Sequence, residues 1–194
     1  MDHDPPAKTK WTPLGVLMLA TGALTFIFTG SRETSDFWVD ALKLWWLQVK
    51  DEQGYVKRLV LYLDNGPKNS GTRTQWLKRL VEFADGSGLE LRLVYYPPYH
   101  SKYNPIERCW GILEVYWHGE LLESEAAMLG LASNMTYAGK HPQVHRVNQT
   151  YSKGVVRSKE EMAILEGRLV RLEGLPKWFV TIAPPKPGEI ILPV

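Results

Sequence analysis

Two acidic residues in this chain lie where a metal site that acts on phosphate groups can be built. Asp64 follows the apolar run 59–63 within the sequence Leu-Asp-Asn-Gly-Pro, and Glu107 follows Asn-Pro-Ile. Hard divalent cations such as Mg²⁺ or Mn²⁺ bind carboxylate oxygens. A pair of such ions can activate a nucleophilic oxygen and stabilise the leaving oxygen of a phosphodiester. Asp64 and Glu107 are therefore candidate metal ligands and catalytic groups.

Each acid also has a purely structural explanation. Asp64 can form an Asx-turn after a strand, and Glu107 can close a capping box onto Asn104. Their common position favours a functional role over these structural ones. Each acid follows a predicted strand, and open α/β sheets bind ligands at the carboxyl ends of their strands. Glu114, seven residues after Glu107, is expected to have only a surface or supporting role.

The elements that position Asp64 begin with a predicted hairpin and helix. Apolar runs at 15–19 and 23–28 flank Ala-Thr-Gly, which predicts a hairpin whose glycine takes positive φ. Thr34 or Ser35 can cap the helix that follows. Residues 57–63 come next, and the nearly continuous apolar run 59–63 within them predicts a central strand covered on both faces.

The next elements bring Glu107 to the same edge. Residues 72–75, with threonine first and glutamine last, predict a capping box at the start of a helix. Alternating residues 89–95 predict a half-buried strand. Asn104 as N-cap and Pro105 at the first helical position predict the helix that carries Glu107.

The order of predicted elements, β-β-α-β-α-β-α, indicates an α/β fold with a mixed sheet flanked by helices and a helical C-terminal extension. Further elements are predicted as helices at about 124–137 and 158–171 and a strand at 178–182, whereas 140–154 shows no periodicity. The predicted organisation is an extended lead-in (1–12), a catalytic domain (13–138), a C-terminal extension with one helix (139–183) and a flexible proline-rich tail (184–194).

Composition limits the classes of function. The 194 residues are 44% hydrophobic, which is enough for a sizeable core. A net charge of +2 is only mildly basic, so any affinity for DNA must come from local patches. Cys109 is the single cysteine, which excludes an internal disulfide and a thiolate metal cluster. The sequence predicts no signal peptide and no membrane span, and we expect a cytoplasmic protein.

The two acidic segments resemble a known family when they are taken together. Residues 63–67 and 96–111 resemble the second and third acidic motifs of DDE-superfamily transposases. The string Pro-Pro-Tyr followed by Asn-Pro-Ile-Glu is typical of the mariner-like branch, and residues 2–150 or so are most similar to ISAzo-type insertion-sequence transposases. The resemblance implies a ribonuclease H-like fold and metal-dependent cleavage and transfer of DNA strands in transposition.

The resemblance assigns roles to two acids and leaves a third without a counterpart. Asp64 matches the second catalytic acid and Glu107 the third, while the family's first acid lies on a first, central strand. Asp2 and Asp4 precede the hairpin but do not lie on an apolar strand. We therefore expect a chain truncated at its N-terminus, whose sheet lacks the first strand.

The resemblance also implies partners. DNA is expected at the transposon ends and at the target, with Mg²⁺ or Mn²⁺ as cofactor and a homodimer as one candidate assembly. Candidates for contacts to the DNA backbone are Lys68, Arg73, Lys102 and Arg108. Two alternatives remain open: a catalytically inactive remnant or DNA-binding module, and an unrelated metal-dependent phosphohydrolase completed by Glu114 or Asp4.

Overall fold

A computed structural model of the chain describes residues 10–97, 99–118 and 124–185. These residues form an α/β fold with five α-helices, which confirms the predicted class. In chain order the elements are β1 (Thr12–Met18), β2 (Ala23–Thr29), α1 (Ser35–Val49), β3 (Arg58–Leu63), α2 (Thr74–Ser87), β4 (Glu90–Tyr95), α3 (Ile106–Trp117), α4 (Glu125–Asn134), β5 (Gln143–Val147), α5 (Lys159–Glu166), β6 (Leu169–Arg171) and β7 (Phe179–Ile182).

The strands form two mixed sheets. The first has the order β1-β2-β5, with β2 antiparallel to β1 and parallel to β5. The second has the order β3-β4-β7-β6, in which β3 and β4 are parallel and the other pairs are antiparallel. Within the described ranges no strand pairs with β1 or β3 on its outer side, so each is the edge of its sheet.

The prediction that residues 57–63 form a central strand covered on both faces is wrong. In β3, Val60 is 40% exposed and Tyr62 is 47% exposed, while Leu59, Leu61 and Leu63 pack against the core. β3 is an edge strand, and the face of the sheet that carries Val60 and Tyr62 is open to solvent, as Arg92 beside Val60 on β4 is exposed too. A continuous apolar run has the composition of a buried strand, but it does not show whether another layer covers the second face.

Two hydrophobic cores hold the layers together. The larger core lies against α1 and α2 and takes residues from both sheets, including Leu14 and Ile27 from the first and Leu91 from the second. The smaller core joins the other face of β2, through Phe26 and Phe28, to α3 and α4. Because β2 is buried on both faces, it links the two cores and fixes α3 relative to α1.

Several local predictions of turns and caps are confirmed. Gly22, in the hairpin between β1 and β2, has φ of +68°. Thr34 caps α1, since its side-chain oxygen accepts a hydrogen bond from the backbone N–H of Phe37 at 3.2 Å. These features are confirmed because they depend on neighbouring residues alone.

Two predicted helix starts are wrong. α2 follows Arg73 without a side-chain cap, and Thr72 contacts Ser70 across 3.1 Å between their hydroxyl oxygens. The N-cap of α3 is Pro105 rather than Asn104, and the Asn104 carbonyl accepts a hydrogen bond from the Glu107 N–H at 3.0 Å. In both cases the chain enters the helix through a backbone turn.

The C-terminal part contributes more strand than the sequence predicts. The aperiodic stretch 140–154 contains β5, and the predicted helix at 158–171 ends at Glu166 and is followed by β6. Residues 139–183 therefore add strands to both sheets as well as the helix α5. Of the predicted lead-in and tail, 1–9 and 186–194 lie outside the described residues.

A half-buried ion network fastens α1 to α2. The Arg79 guanidinium donates to Asp36 Oδ1 at 2.7 Å and to Asp40 Oδ1 at 2.6 Å. Tyr151 donates its hydroxyl to Asp40 Oδ2 at 3.1 Å. Burial lowers the pKa of Arg79, but the combined effect of the two carboxylates is larger, and the net shift of the pKa is upward. The network thus connects both helices to the segment that follows β5.

We expect Arg79→Met to lower the free energy of unfolding by ~3–5 kcal/mol, because it leaves Asp36 and Asp40 without their cation in a partly buried site. Urea denaturation measures this loss. Arg58→Met is the control, since Arg58 pairs with Glu90 at the surface, where an ion pair contributes ~0–1 kcal/mol. Equal losses in the two variants would contradict a structural role for the network.

Candidate functional site

Asp64 lies directly after the last residue of β3, and its side chain organises the loop that follows. Its Oδ1 accepts hydrogen bonds from the Gly66 N–H at 3.2 Å and from the Asn69 amide at 2.8 Å. The first is the Asx-turn expected as the structural explanation. In the part of the chain that the structure describes, Oδ2 accepts no hydrogen bond. The turn therefore leaves one carboxylate oxygen available for a ligand.

The loop after Asp64 keeps further oxygen atoms near this carboxylate. Asn65 has φ of +59°, a left-handed conformation that asparagine tolerates better than most residues. A Cβ atom on Gly66 would lie 3.4 Å from both Asp64 Oδ1 and Asn69 Oδ1. Asn69 is 1% exposed, and its Oδ1 has no hydrogen-bond partner among the described residues. A buried oxygen without a donor thus lies beside Asp64.

Glu107 is the second residue of α3 and has an exposed side chain. The capping box that would have given it a structural role is absent, since no side-chain cap hydrogen bond is formed at this helix start. Partial desolvation and the negative charge of Asp64 raise the pKa of the Glu107 carboxyl. Both residues line one cleft of about 300 Å³, defined here as the acidic cleft. The structure therefore brings the two predicted acids together.

The position of Glu107 depends on close packing of α3 against β1. A Cβ atom on Gly15 would lie 2.9 Å from Trp110 Cζ2 and 3.1 Å from Ile106 Cδ1, so glycine at this position lets the helix approach. Trp110 also stacks near Phe26, with ring centroids 5.1 Å apart. Sequence patterns did not single out Gly15, because its role depends on a helix about ninety residues further along.

A third carboxylate, Glu33, also lines the acidic cleft and accepts a hydrogen bond from the Trp38 indole N–H at 3.2 Å. It does not complete a metal site of three residues, because the described residues contain no group of three His, Cys, Asp or Glu side chains arranged to hold a metal ion. Glu114 does not line this cleft, and Asp2 and Asp4 lie outside the described residues. The acidic cleft therefore contains the two predicted acids and Glu33, and the described residues do not arrange three such side chains to hold a metal ion.

The four basic residues predicted to contact DNA fall into two groups. Lys68 and Arg73 line one cleft of about 290 Å³, where Arg73 donates to the Val155 carbonyl at 3.2 Å. Lys102 and Arg108 are exposed near the start of α3, with the Lys102 ammonium 5.2 Å from the centre of the Tyr103 ring. The two groups lie on different elements, before α2 and before or within α3.

The structure also reveals a basic cleft that the sequence did not indicate. Its cavity is about 530 Å³, and its cationic lining residues are Lys10, Arg32, Lys68 and Lys153. None of these four forms an ion pair within the described ranges. Glu33 lines both this basic cleft and the acidic cleft, so the two adjoin. Four separate segments supply the cations, which is why no local charge pattern predicts them.

Comparison with known proteins gives a match over nearly the whole chain. The family described as Rhodopirellula transposase DDE domain matches residues 1–184, a range that includes every described strand and helix. No curated protein and no solved structure matches the chain. The two mixed sheets with flanking helices agree with a ribonuclease H-like fold. No helix in the described part of the chain is long and apolar enough to span a membrane.

We expect Asp64→Asn to lower the pKa of Glu107 towards its ordinary value, because the substitution removes the neighbouring negative charge that raises it. Titration of the Glu107 carboxyl carbon by NMR measures the change. Asp51→Asn is the matched control, since this exposed aspartate lies between α1 and β3, away from the acidic cleft. An unchanged pKa in Asp64→Asn would show that the two carboxylates do not interact.

Proposed function

This chain belongs to the Rhodopirellula transposase DDE domain family, and we propose that Asp64 and Glu107 are acidic metal ligands through which it acts in DNA strand cleavage and strand transfer. The family supports a transposase-type function with DNA as a partner. The observation that carries the proposal is the acidic cleft, where carboxylates from consecutive βα junctions interact closely enough for Asp64 to raise the pKa of Glu107.

The donor set in the acidic cleft fits a hard divalent cation. Two carboxylates and the side-chain oxygen of Asn69, which is buried without a donor, are the oxygen ligands that Mg²⁺ and Mn²⁺ prefer. A bound divalent ion would supply activation of the attacking oxygen and stabilisation of the leaving oxygen. The contribution of this chain is to hold Asp64 by its turn and Glu107 by the packing of α3, so that both carboxylates face one space.

A second candidate function is DNA binding without cleavage. It is favoured by one observation, that the described residues offer two acidic ligands in place of the three that the resemblance implies. On this second candidate, Asp64 and Glu107 alone do not support cleavage, and the chain is a DNA-binding, catalytically inactive form of the domain.

The basic cleft gives the DNA backbone a path to the acidic cleft. Phosphate contacts from lysine and arginine position DNA without reading its sequence, and their binding energy comes largely from released counterions. We propose that Lys68 and Lys153 contact phosphates on one side of the acidic cleft, and that Lys102 and Arg108 do so near the start of α3. Homodimerisation stays a prediction.

A nicking assay on supercoiled plasmid tests the catalytic proposal. With Mn²⁺ or Mg²⁺ we expect the chain to nick DNA, with the product falling to background in Asp64→Asn and Glu107→Gln and after chelation of the metal. Asp51→Asn is expected to keep the wild-type rate. If DNA is bound but never nicked, the second candidate function holds. If DNA is neither bound nor nicked, both proposals are contradicted.

We expect Lys68→Gln with Lys153→Gln to weaken DNA binding and to reduce the slope of log affinity against log salt by about 0.9 for each phosphate that the protein no longer neutralises. Fluorescence anisotropy with a labelled duplex at several salt concentrations measures both changes. The control is Lys43→Gln with Lys50→Gln, since both lysines line a separate cleft beside Trp46. Equal effects of the two pairs would contradict a role for the basic cleft.

A further inference from the structure

The loop that joins β3 to α2 is fastened at two points outside the acidic cleft. We define its residues 65–72 as the β3–α2 loop. Ser35, the first residue of α1, donates its hydroxyl to the Lys68 carbonyl at 2.6 Å. Further along the loop, the Arg171 guanidinium donates to the Gly71 carbonyl at 3.0 Å. The first helix and the last residue of β6 therefore both hold this loop.

Arg171 is itself fixed by two further partners. Its Nε and Nη2 donate to the two carboxylate oxygens of Glu166 at 3.0 and 2.7 Å. Its Nη1 donates to the Pro176 carbonyl at 3.1 Å as well as to the loop. Because a bidentate pair with a carboxylate restricts the orientation of a guanidinium, Arg171 presents Nη1 to the loop in one defined position.

The backbone of the β3–α2 loop also packs closely at the point where Arg171 binds. Gly71 is buried, and a Cβ atom there would lie 2.6 Å from the Lys177 carbonyl oxygen and 3.0 Å from Tyr95 Cε2. Lys177 belongs to the segment 172–178 between β6 and β7. Since no side chain fits between these two stretches of backbone, a displacement of one is passed directly to the other.

The residue that contacts Asp64 lies close to this point of attachment. Asn69 donates its side-chain amide to Asp64 Oδ1 at 2.8 Å, and its own Oδ1 is the buried oxygen without a donor. Only Ser70 separates Asn69 from Gly71. The position of Asn69 against Asp64 therefore depends on where the Gly71 backbone is held.

We propose that Arg171 is a positioning residue of the acidic cleft, which holds the β3–α2 loop by the Gly71 carbonyl and so keeps the Asn69 amide on Asp64. This role rests on the proposed function, because it treats the acidic cleft as a site for Mg²⁺ or Mn²⁺. Groups that orient metal ligands from outside the site change metal affinity about 10- to 100-fold when they are substituted. Arg171 acts through the backbone, so we expect an effect at the lower end of that range.

The charge of Arg171, acting alone, would have the opposite effect on a metal ion. Arg171 and Asp64 both lie close enough to the buried Tyr95 hydroxyl to act on its pKa. Burial raises this pKa most, while the charge of Arg171 lowers it and that of Asp64 raises it. Because a cation this close to the acidic cleft repels a divalent ion, loss of the charge alone would tighten Mn²⁺ binding. Weaker binding thus distinguishes positioning from electrostatic repulsion.

Arg171→Met and Arg168→Met form a matched pair for the test. Arg168 also binds a carboxylate and a backbone carbonyl, those of Asp85 at 2.6 Å and Ala183 at 3.0 Å. These acceptors lie on α2 and after β7, not in the β3–α2 loop. Each substitution removes interactions of the same kind, so we expect similar losses of general stability, which urea denaturation measures.

Two measurements on the full chain test the role of Arg171. Without metal, NMR follows hydrogen exchange of the Asn69 side-chain amide, which we expect to be about tenfold faster in Arg171→Met and unchanged in Arg168→Met. With Mn²⁺, electron paramagnetic resonance of the free ion gives the dissociation constant, which we expect to rise about tenfold in Arg171→Met alone. If Arg171→Met does not fold, Arg171→Lys replaces it. Lysine keeps the charge but lacks the planar fork, so the same changes are expected at a smaller size.

Three results would overturn the proposal: unchanged exchange of the Asn69 amide, equal effects of the two substitutions, or Mn²⁺ binding that is unchanged or tighter without Arg171. If the wild-type chain binds no Mn²⁺ in the acidic cleft, the proposed function fails. Exchange of the Asn69 amide then still decides whether Arg171 holds the loop.

Discussion

The unpaired edges of β1 and β3 are the constraint on which the rest of this structure depends. Strand edges normally satisfy their backbone groups with a neighbour, and here two of them face one cleft without one among the described strands. The chain is consequently divided into two sheets. Asp64, after the end of β3, and Glu107, on a helix packed against β1, lie on opposite sides of that division. The geometry of the acidic cleft thus depends on the position of one sheet relative to the other.

The two sheets are held together by packing against helices and not by a continuous ladder of hydrogen bonds. The larger core takes Leu14 and Ile27 from the first sheet and Leu91 and Leu93 from the second, and it covers them with α1 and α2. The Arg79 network then fixes these two helices to each other. Because packing replaces directional hydrogen bonds across the cleft, a change in α1 or α2 is transmitted to both sides of the candidate metal site.

Features that depend on neighbouring residues could be predicted from the sequence, and features that depend on distant ones could not. The Thr34 cap, the positive φ of Gly22 and the position of Asp64 after a strand all follow from short segments. The resemblance of two motifs supplied the pairing of Asp64 with Glu107. By contrast, β5 has a polar sequence and exists because β2 pairs with it, and the basic cleft draws its cations from four separate segments. The apolar run of β3 indicated burial on two faces, but the face that carries Val60 and Tyr62 is partly exposed.

The most direct test of the central claim is paramagnetic broadening of NMR signals by Mn²⁺ added to the full chain. A two-carboxylate site predicts that broadening is centred on Asp64, Asn69 and Glu107, and that Asp64→Asn combined with Glu107→Gln removes it while Asp51→Asn does not. Broadening centred on Asp36 and Asp40, or a pattern that the double substitution leaves unchanged, would contradict the claim that the acidic cleft is the metal site.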